Sequence, residues 1–252
     1  MNLIEIRDFR KTYRLGLERG LSVVEAVKSI TLDVPEASLY GFIGPNGAGK
    51  TTTIKTLMGL LRPTSGTVRL MGLDPLDPAS RSQVGFQPEQ PYFYDYLTGL
   101  ELLRYYGRLS GVRGADLSSC IEEACGLCKV ERGWLDRRLR TYSKGMSQRL
   151  GLAQAVLAHP KLLVLDEPMS GLDPMGRRDV RLAMLELHKR GTTIFYSSHV
   201  LSDVEEICTH AAMVVRGTLR MSGTLDQILS NPDDPGHRSK LEDLLAKEVE
   251  LA

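Results

Sequence analysis

Leu39-Tyr-Gly-Phe-Ile-Gly44-Pro45-Asn46-Gly47-Ala48-Gly49-Lys50-Thr51-Thr52 runs from an apolar segment of strand length, through a glycine-rich turn, to a lysine followed by threonines. Residues 44–51 satisfy the spacing G-x-x-x-x-G-K-[ST], and they have the setting that this spacing needs, a strand before and a helix after. Gly44, Gly47 and Gly49 let the backbone fold tightly, so that successive N–H groups point at one spot, and a helix opening at Lys50 adds the positive end of its dipole. Such a loop cradles phosphate. Lys50 then reaches the β- and γ-phosphates of a nucleotide and the Thr51 hydroxyl becomes a Mg2+ ligand, with Pro45, Asn46, Ala48 and Thr52 completing the cradle.

Outward from this loop, strand and helix patterns alternate: Leu162-Leu-Val-Leu, a helix after Pro174, Thr192-Thr-Ile-Phe-Tyr, and a helix from Val200. That order predicts an α/β fold of the P-loop NTPase (RecA-like) class, a mainly parallel sheet covered by helices. Before the loop, Leu3-Ile-Glu-Ile, Ser22–Val27 and Ile30–Val34 alternate apolar and polar, which predicts an N-terminal antiparallel layer with a charged turn around Arg14 to Gly20. From about residue 90 to 159 the strand signal gives way to helical patterns, an inserted helical subdomain. The expected division is a domain over 1–230, then a tail over 231–252, with a turn-rich breaker Asn231-Pro-Asp-Asp-Pro-Gly and a short amphipathic helix from Lys240 to Leu251.

The apolar segment at 162–165 ends in Asp166-Glu167-Pro168. Ligands of open α/β sheets bind at the carboxyl ends of parallel strands, which places both acids beside the phosphate loop. Asp166 is then a candidate for holding Mg2+ through water, and Glu167 for orienting or deprotonating an attacking water. Without the phosphate loop upstream, the same Asp-Glu-Pro reads as a helix cap or turn.

Composition narrows the partners. Lys+Arg number 32 against 31 Asp+Glu, a net charge of +1, which argues against a general nucleic-acid binder. No apolar stretch approaches the ~20 residues of a membrane span. The acidic start Met1-Asn-Leu-Ile-Glu5 is unlike a signal peptide, so the expectation is an untargeted cytosolic chain. Four cysteines are too few for a disulfide scaffold. Cys120, Cys125 and Cys128 have a spacing that overlaps an iron–sulfur signature, but Leu117–Cys128 reads as an amphipathic helix burying small residues.

The order of these motifs resembles the ATP-binding subunits of ATP-binding cassette (ABC) transporters, over about residues 1–230. Tyr142-Ser143-Lys144-Gly145-Met146 looks like that family's Leu-Ser-Gly-Gly-Gln signature, keeping Ser143 and Gly145 and changing the other positions. By resemblance, Ser143 and the Gly145 N–H face the γ-phosphate of ATP held by the opposite subunit; read without the family, Ser143 is an N-cap before an apolar helix. Lys144 either adds charge near the phosphates or faces solvent. Asp173, in Ser170-Gly-Leu-Asp-Pro174, matches the loop that links two sites across a dimer, and His199 matches the switch histidine on the γ-phosphate. Tyr13 matches the aromatic on which adenine stacks, or is simply a strand-end tyrosine. Glu89 occupies the position of a glutamine that contacts Mg2+, with Gln87 or Gln90 as substitutes. The aromatic run Pro91-Tyr-Phe-Tyr-Asp-Tyr matches the groove that receives a helix of the membrane subunit, or packs the helical subdomain.

The resemblance implies an ATPase with ATP and Mg2+ as ligands, acting as a dimer with a second ATP-binding subunit, a homodimer by its intact motifs. It implies a separate transmembrane permease as partner, no nucleic acid, and a place in the cytoplasm on the inner face of the cell membrane. The likeness of the phosphate loop, the Ser-Lys-Gly-Met signature and the Pro-Glu loop favours export. The competing class is a soluble ABC ATPase acting on ribosomes or DNA, which resembles tandem or coiled-coil chains; this sequence has one phosphate loop and no heptad run.

Overall fold

The alternating N-terminus forms a long antiparallel hairpin, β1 (Asn2–Leu17) against β2 (Gly20–Pro35), with Ile4, Ile6, Phe9, Ile30 and Leu32 buried. The computed structural model describes residues 1–17, 20–230 and 239–251. The turn expected at Arg14–Gly20 is shorter than the charge pattern suggested, because the ladder continues through Arg14↔Val23 to Leu17↔Gly20. Ladder bonds belong to the backbone, so an arginine does not end a strand. The breaker expected at 231–236 lies outside the described residues.

The chain forms two units, Met1–Arg81 with Phe195–Ala252, and Ser82–Ile194. In the first, β3 (Leu39–Ile43) enters α1 (Lys50–Leu57), and β4 (Ser65–Leu70) returns antiparallel to β1. The fully buried run of β3 is the signature of a strand covered on both faces. Its Tyr40 and Phe42 meet Phe195 with ring centroids 5.9 and 5.3 Å apart. Burying each such ring contributes about 1.5–3 kcal/mol.

The first unit's opening segment ends in a 3-10 turn at Pro78–Arg81, and the second unit's first strand is β5 (Val84–Gln87). Helices follow: α2 (Gly99–Leu109), α3 (Gly114–Leu127), α4 (Arg132–Leu135), a 3-10 turn at Leu139–Thr141 and α5 (Lys144–Val156). Thr98 and Glu101 start α2 with a reciprocal capping box. Cys125 and Cys128 are buried on the α3 side, as the amphipathic reading expected, and burial pushes the Cys125 thiol up to about 11 and that of Cys128 further. β6 (Leu162–Asp166) pairs parallel with β5, and α6 (Pro174–Lys189) begins with proline at its first position.

The boundary between the units falls within β7 (Thr193–Ser198), which leads to α7 (Leu201–Ile207) in the first unit. There β8 (His210–Val215) pairs parallel with β3 and antiparallel with β9 (Thr218–Thr224), giving the order β4-β1-β2-β9-β8-β3. α8 (Leu225–Leu229) carries a second capping box, and α9 (Leu241–Glu250) docks by the buried Leu241, whose N–H donates to Glu205 Oε1 at 2.5 Å. The sheet is therefore mixed, and richer in antiparallel pairs than the sequence pattern indicated, because small, polar and charged residues dilute the apolar positions of β4 and β9 and the apolar run of β8 was not assigned to a strand. Among the described residues no helix is long and apolar enough to cross a membrane.

Candidate functional site

In the first unit, residues 44–49 join β3 to α1 in a backbone that only glycine can follow at two points. Gly44 sits at φ 155° with the Val214 carbonyl oxygen where a Cβ would be, and Gly49 at φ 101° with the Ala26 oxygen 2.6 Å from its would-be Cβ. The β8–β9 turn pins the loop: Gly217 N–H donates to Ala48 O at 3.1 Å, and Gly217 O accepts from Lys28 N–H at 2.7 Å. Lys50 is 6% exposed, and its ammonium donates to the Gly44 and Pro45 carbonyls at 2.7 and 3.4 Å. The cation is thus held at the loop. Pro45 is half-buried, Asn46 and Gly47 are exposed, Ala48 is buried, and the partly exposed Thr51 and Thr52 lie in the first turn of α1.

Tyr13 lies in the same unit, its hydroxyl 3.5 Å from Thr52 Oγ1, so the structure brings the aromatic candidate to the first turn after the loop. His199 is exposed directly after β7. Its corner is fixed by Ser198 Oγ, which accepts from Val200 N–H at 3.0 Å.

The second unit carries the remaining candidates. Asp166 ends β6 at 3% exposure, and Glu167 follows at 8%. Glu167 has φ 49°, a left-handed conformation that costs a non-glycine residue roughly 1–2 kcal/mol. Among the described non-glycine residues at positive φ it alone is buried. Strain held at a buried acid immediately after a strand is the kind of outlier that points to function.

Ser143 caps α5, accepting from Met146 N–H at 3.3 Å, and Gly145 follows in the first turn. Asp173 caps α6, accepting from Gly176 N–H at 2.7 Å. Sequence reasoning did not foresee that cap, although Asp before Pro at a helix start is a signal for one. A Cβ on Gly171 would run into Lys144 Nζ and Cε, so the lysine, though exposed, lies along the loop that carries Asp173.

Glu89 is exposed just past β5. Gln87, one of its possible substitutes, is 1% exposed and turned toward α5: its amide donates to Gln148 Oε1 at 2.5 Å and Gln148 O at 3.0 Å. Gln148 in turn donates to the Glu89 carbonyl at 2.6 Å. Gln148 was missed by the sequence reading; a glutamine among the apolar residues of α5 was the available signal. In the following segment Tyr92, Tyr94 and Tyr96 are 93%, 52% and 63% exposed, as their composition suggested.

A family model described as ABC transporter matches residues 27–170. The chain belongs to the ABC transporter family, among its cassette ATPases. An uncharacterized ABC transporter ATP-binding protein of Synechocystis is 42% identical over 233 residues, 92% of this cassette and 66% of that protein. The bacitracin transport ATP-binding protein BcrA of Enterococcus faecalis is 44% identical over 215 residues, 83% of this cassette and 67% of BcrA. The cassette thus spans about two thirds of the length of these relatives. A solved ATP-binding subunit of an ABC transporter superposes with TM-score 0.83 at 30% identity, over 98% of this chain and 99% of that one. The ATP-binding cassette MJ0796, solved as a dimer bound to ADP and Pi, shares the fold with TM-score 0.80 at 21% identity, over 88% of this chain and 98% of that one.

Proposed function

We propose that this cassette is the ATP-hydrolysing subunit of an exporter, paired with a second copy of itself and driving a separate transmembrane permease from the cytoplasmic face of the membrane. The functional module is residues 1–230 with a helical subdomain at about 90–159, and 231–252 form a tail. The observation that carries the reading is the phosphate loop, whose glycine-dependent backbone and captive Lys50 suit a polyphosphate and little else.

In this reading the N–H groups of 44–51 and the Lys50 ammonium bind the β- and γ-phosphates, and Tyr13 stacks on the adenine. Asp166 and Thr51 offer a carboxylate and a hydroxyl, the hard oxygen donors that Mg2+ takes, with Glu89 as a further carboxylate. Mg2+, when bound, would neutralise charge on the phosphates. Glu167 orients the attacking water and accepts its proton, while His199 contacts the γ-phosphate from the end of β7. Ser143 and Gly145, at the start of α5, meet the γ-phosphate held by the second subunit, and Asp173 lies where the two sites communicate. The binding energy of the γ-phosphate closes the dimer, and its loss after hydrolysis reopens it.

Export is favoured by the 44% identity to BcrA, a bacitracin transport protein by name. Purification of the tagged chain from detergent-solubilised membranes tests the assembly. The expected companion is one polytopic membrane protein in fixed ratio to a cassette dimer. Recovery with ribosomes or DNA instead contradicts the reading.

A further inference from the structure

We infer that Lys11 is a positioning residue for the nucleotide base, a cation that braces one face of the Tyr13 ring so that the other face receives adenine. The inference rests on the proposed stacking role of Tyr13 and deepens it. Lys11 is two residues before Tyr13 on β1, and the β1–β2 register shifts on both sides of Lys11. Such bulges re-aim a side chain that a regular pleat would fix.

Here the Lys11 ammonium lies 5.3 Å from the Tyr13 ring centroid, within the range of a cation–π contact. The same ammonium donates to the Arg62 carbonyl at 2.7 Å, which anchors it in the segment after α1. That segment is itself tied to β1, since Thr64 N–H donates to Arg10 O at 2.8 Å and Thr12 N–H to Thr64 Oγ1 at 3.0 Å. The ring edge is set by the hydroxyl contact with Thr52. Two of the three approaches to the ring, one face and the hydroxyl edge, are therefore taken by groups fixed to the scaffold. A cation on one face also draws electron density from the ring, which suits the opposite face to an electron-rich purine.

Binding of ATP and of inorganic tripolyphosphate to the full chain, each with Mg2+ and measured by calorimetry, separates base from phosphate contacts. Lys11→Met should weaken ATP about fivefold and leave tripolyphosphate within about twofold, and Lys11→Arg should keep both near the parent values. Unchanged ATP affinity in Lys11→Met overturns the inference, as does equal weakening of both ligands, which marks a merely structural lysine. Failure of Lys11→Arg to rescue ATP also overturns it. Tyr13→Ala checks the underlying reading separately: if it leaves the ratio of the two affinities unchanged, no base stacks on Tyr13, and the fault lies there rather than with Lys11.

Discussion

Gly49 shows how little latitude the phosphate loop has. Its φ of 101° and the Ala26 oxygen 2.6 Å from a would-be Cβ exclude any side chain without moving β2. Gly49→Ala should therefore cost about 2 kcal/mol or more and move the N–H groups that face phosphate. The expected result is a lower urea midpoint together with at least a tenfold loss of ATP affinity. Gly133, with open space around its would-be Cβ, serves as the control, since Gly133→Ala should lower neither. Glu167 makes the complementary point about an acid. It is buried in a left-handed backbone, φ 49°, that the neighbouring Asp166 does not adopt.

Between elements, Gln148 fastens α5 to the segment after β5. It accepts from Gln87, donates to the Glu89 carbonyl, and sits one turn before Gly151, where a Cβ would press on Pro91 Cγ at 2.9 Å. Gln148→Leu strips one of two acceptors from the buried Gln87 amide and the side-chain donor from the Glu89 carbonyl, and should destabilise the fold by about 1–3 kcal/mol, read from urea unfolding. Adding Gln87→Leu removes the under-satisfied amide too, so the double variant should recover part of that loss; additive losses would mean that the two glutamines are not one device. α3 supplies a pH dependence. Burial raises the Cys125 and Cys128 thiols, so the folded state favours their protonated forms. For Cys125 the contribution is complete below the unfolded-state value of about 8.5 and is lost as pH rises toward 11, an effect of order 2 kcal/mol, and for Cys128 the loss continues to higher pH. The melting temperature should fall between about pH 9 and 11, and fall less steeply in Cys125→Ala, even though that variant starts lower.

For the whole molecule, the legible parts are those whose local chemistry repeats. β3, β6 and β7 announce themselves as apolar runs, α1 by the turn before it, and α5 by the Ser143 cap. β4 and β9 escaped because Gly, Ser, Thr and Arg dilute their apolar positions, β8 is an apolar run that was not assigned to a strand, and the true length of the β1–β2 hairpin was hidden by charges that do not disturb a backbone ladder. At the site, the candidate residues could be named from sequence, because phosphate binding demands particular residue types at a particular spacing. The residues that hold them could not. Lys11 looks like any solvated strand lysine until the register shifts turn it toward Tyr13, and Gln148 looks like one polar residue in a helix until β5 arrives beside it.

The claim at the centre of this account is that the chain hydrolyses ATP with Glu167 as the group that activates water. Steady-state release of inorganic phosphate from ATP with Mg2+, compared between the parent chain and Glu167→Gln, tests it directly. The account predicts a loss of at least a hundredfold in Glu167→Gln, with ATP still bound and the ATP-dependent dimer accumulating. Hydrolysis by Glu167→Gln at close to the parent rate would contradict it.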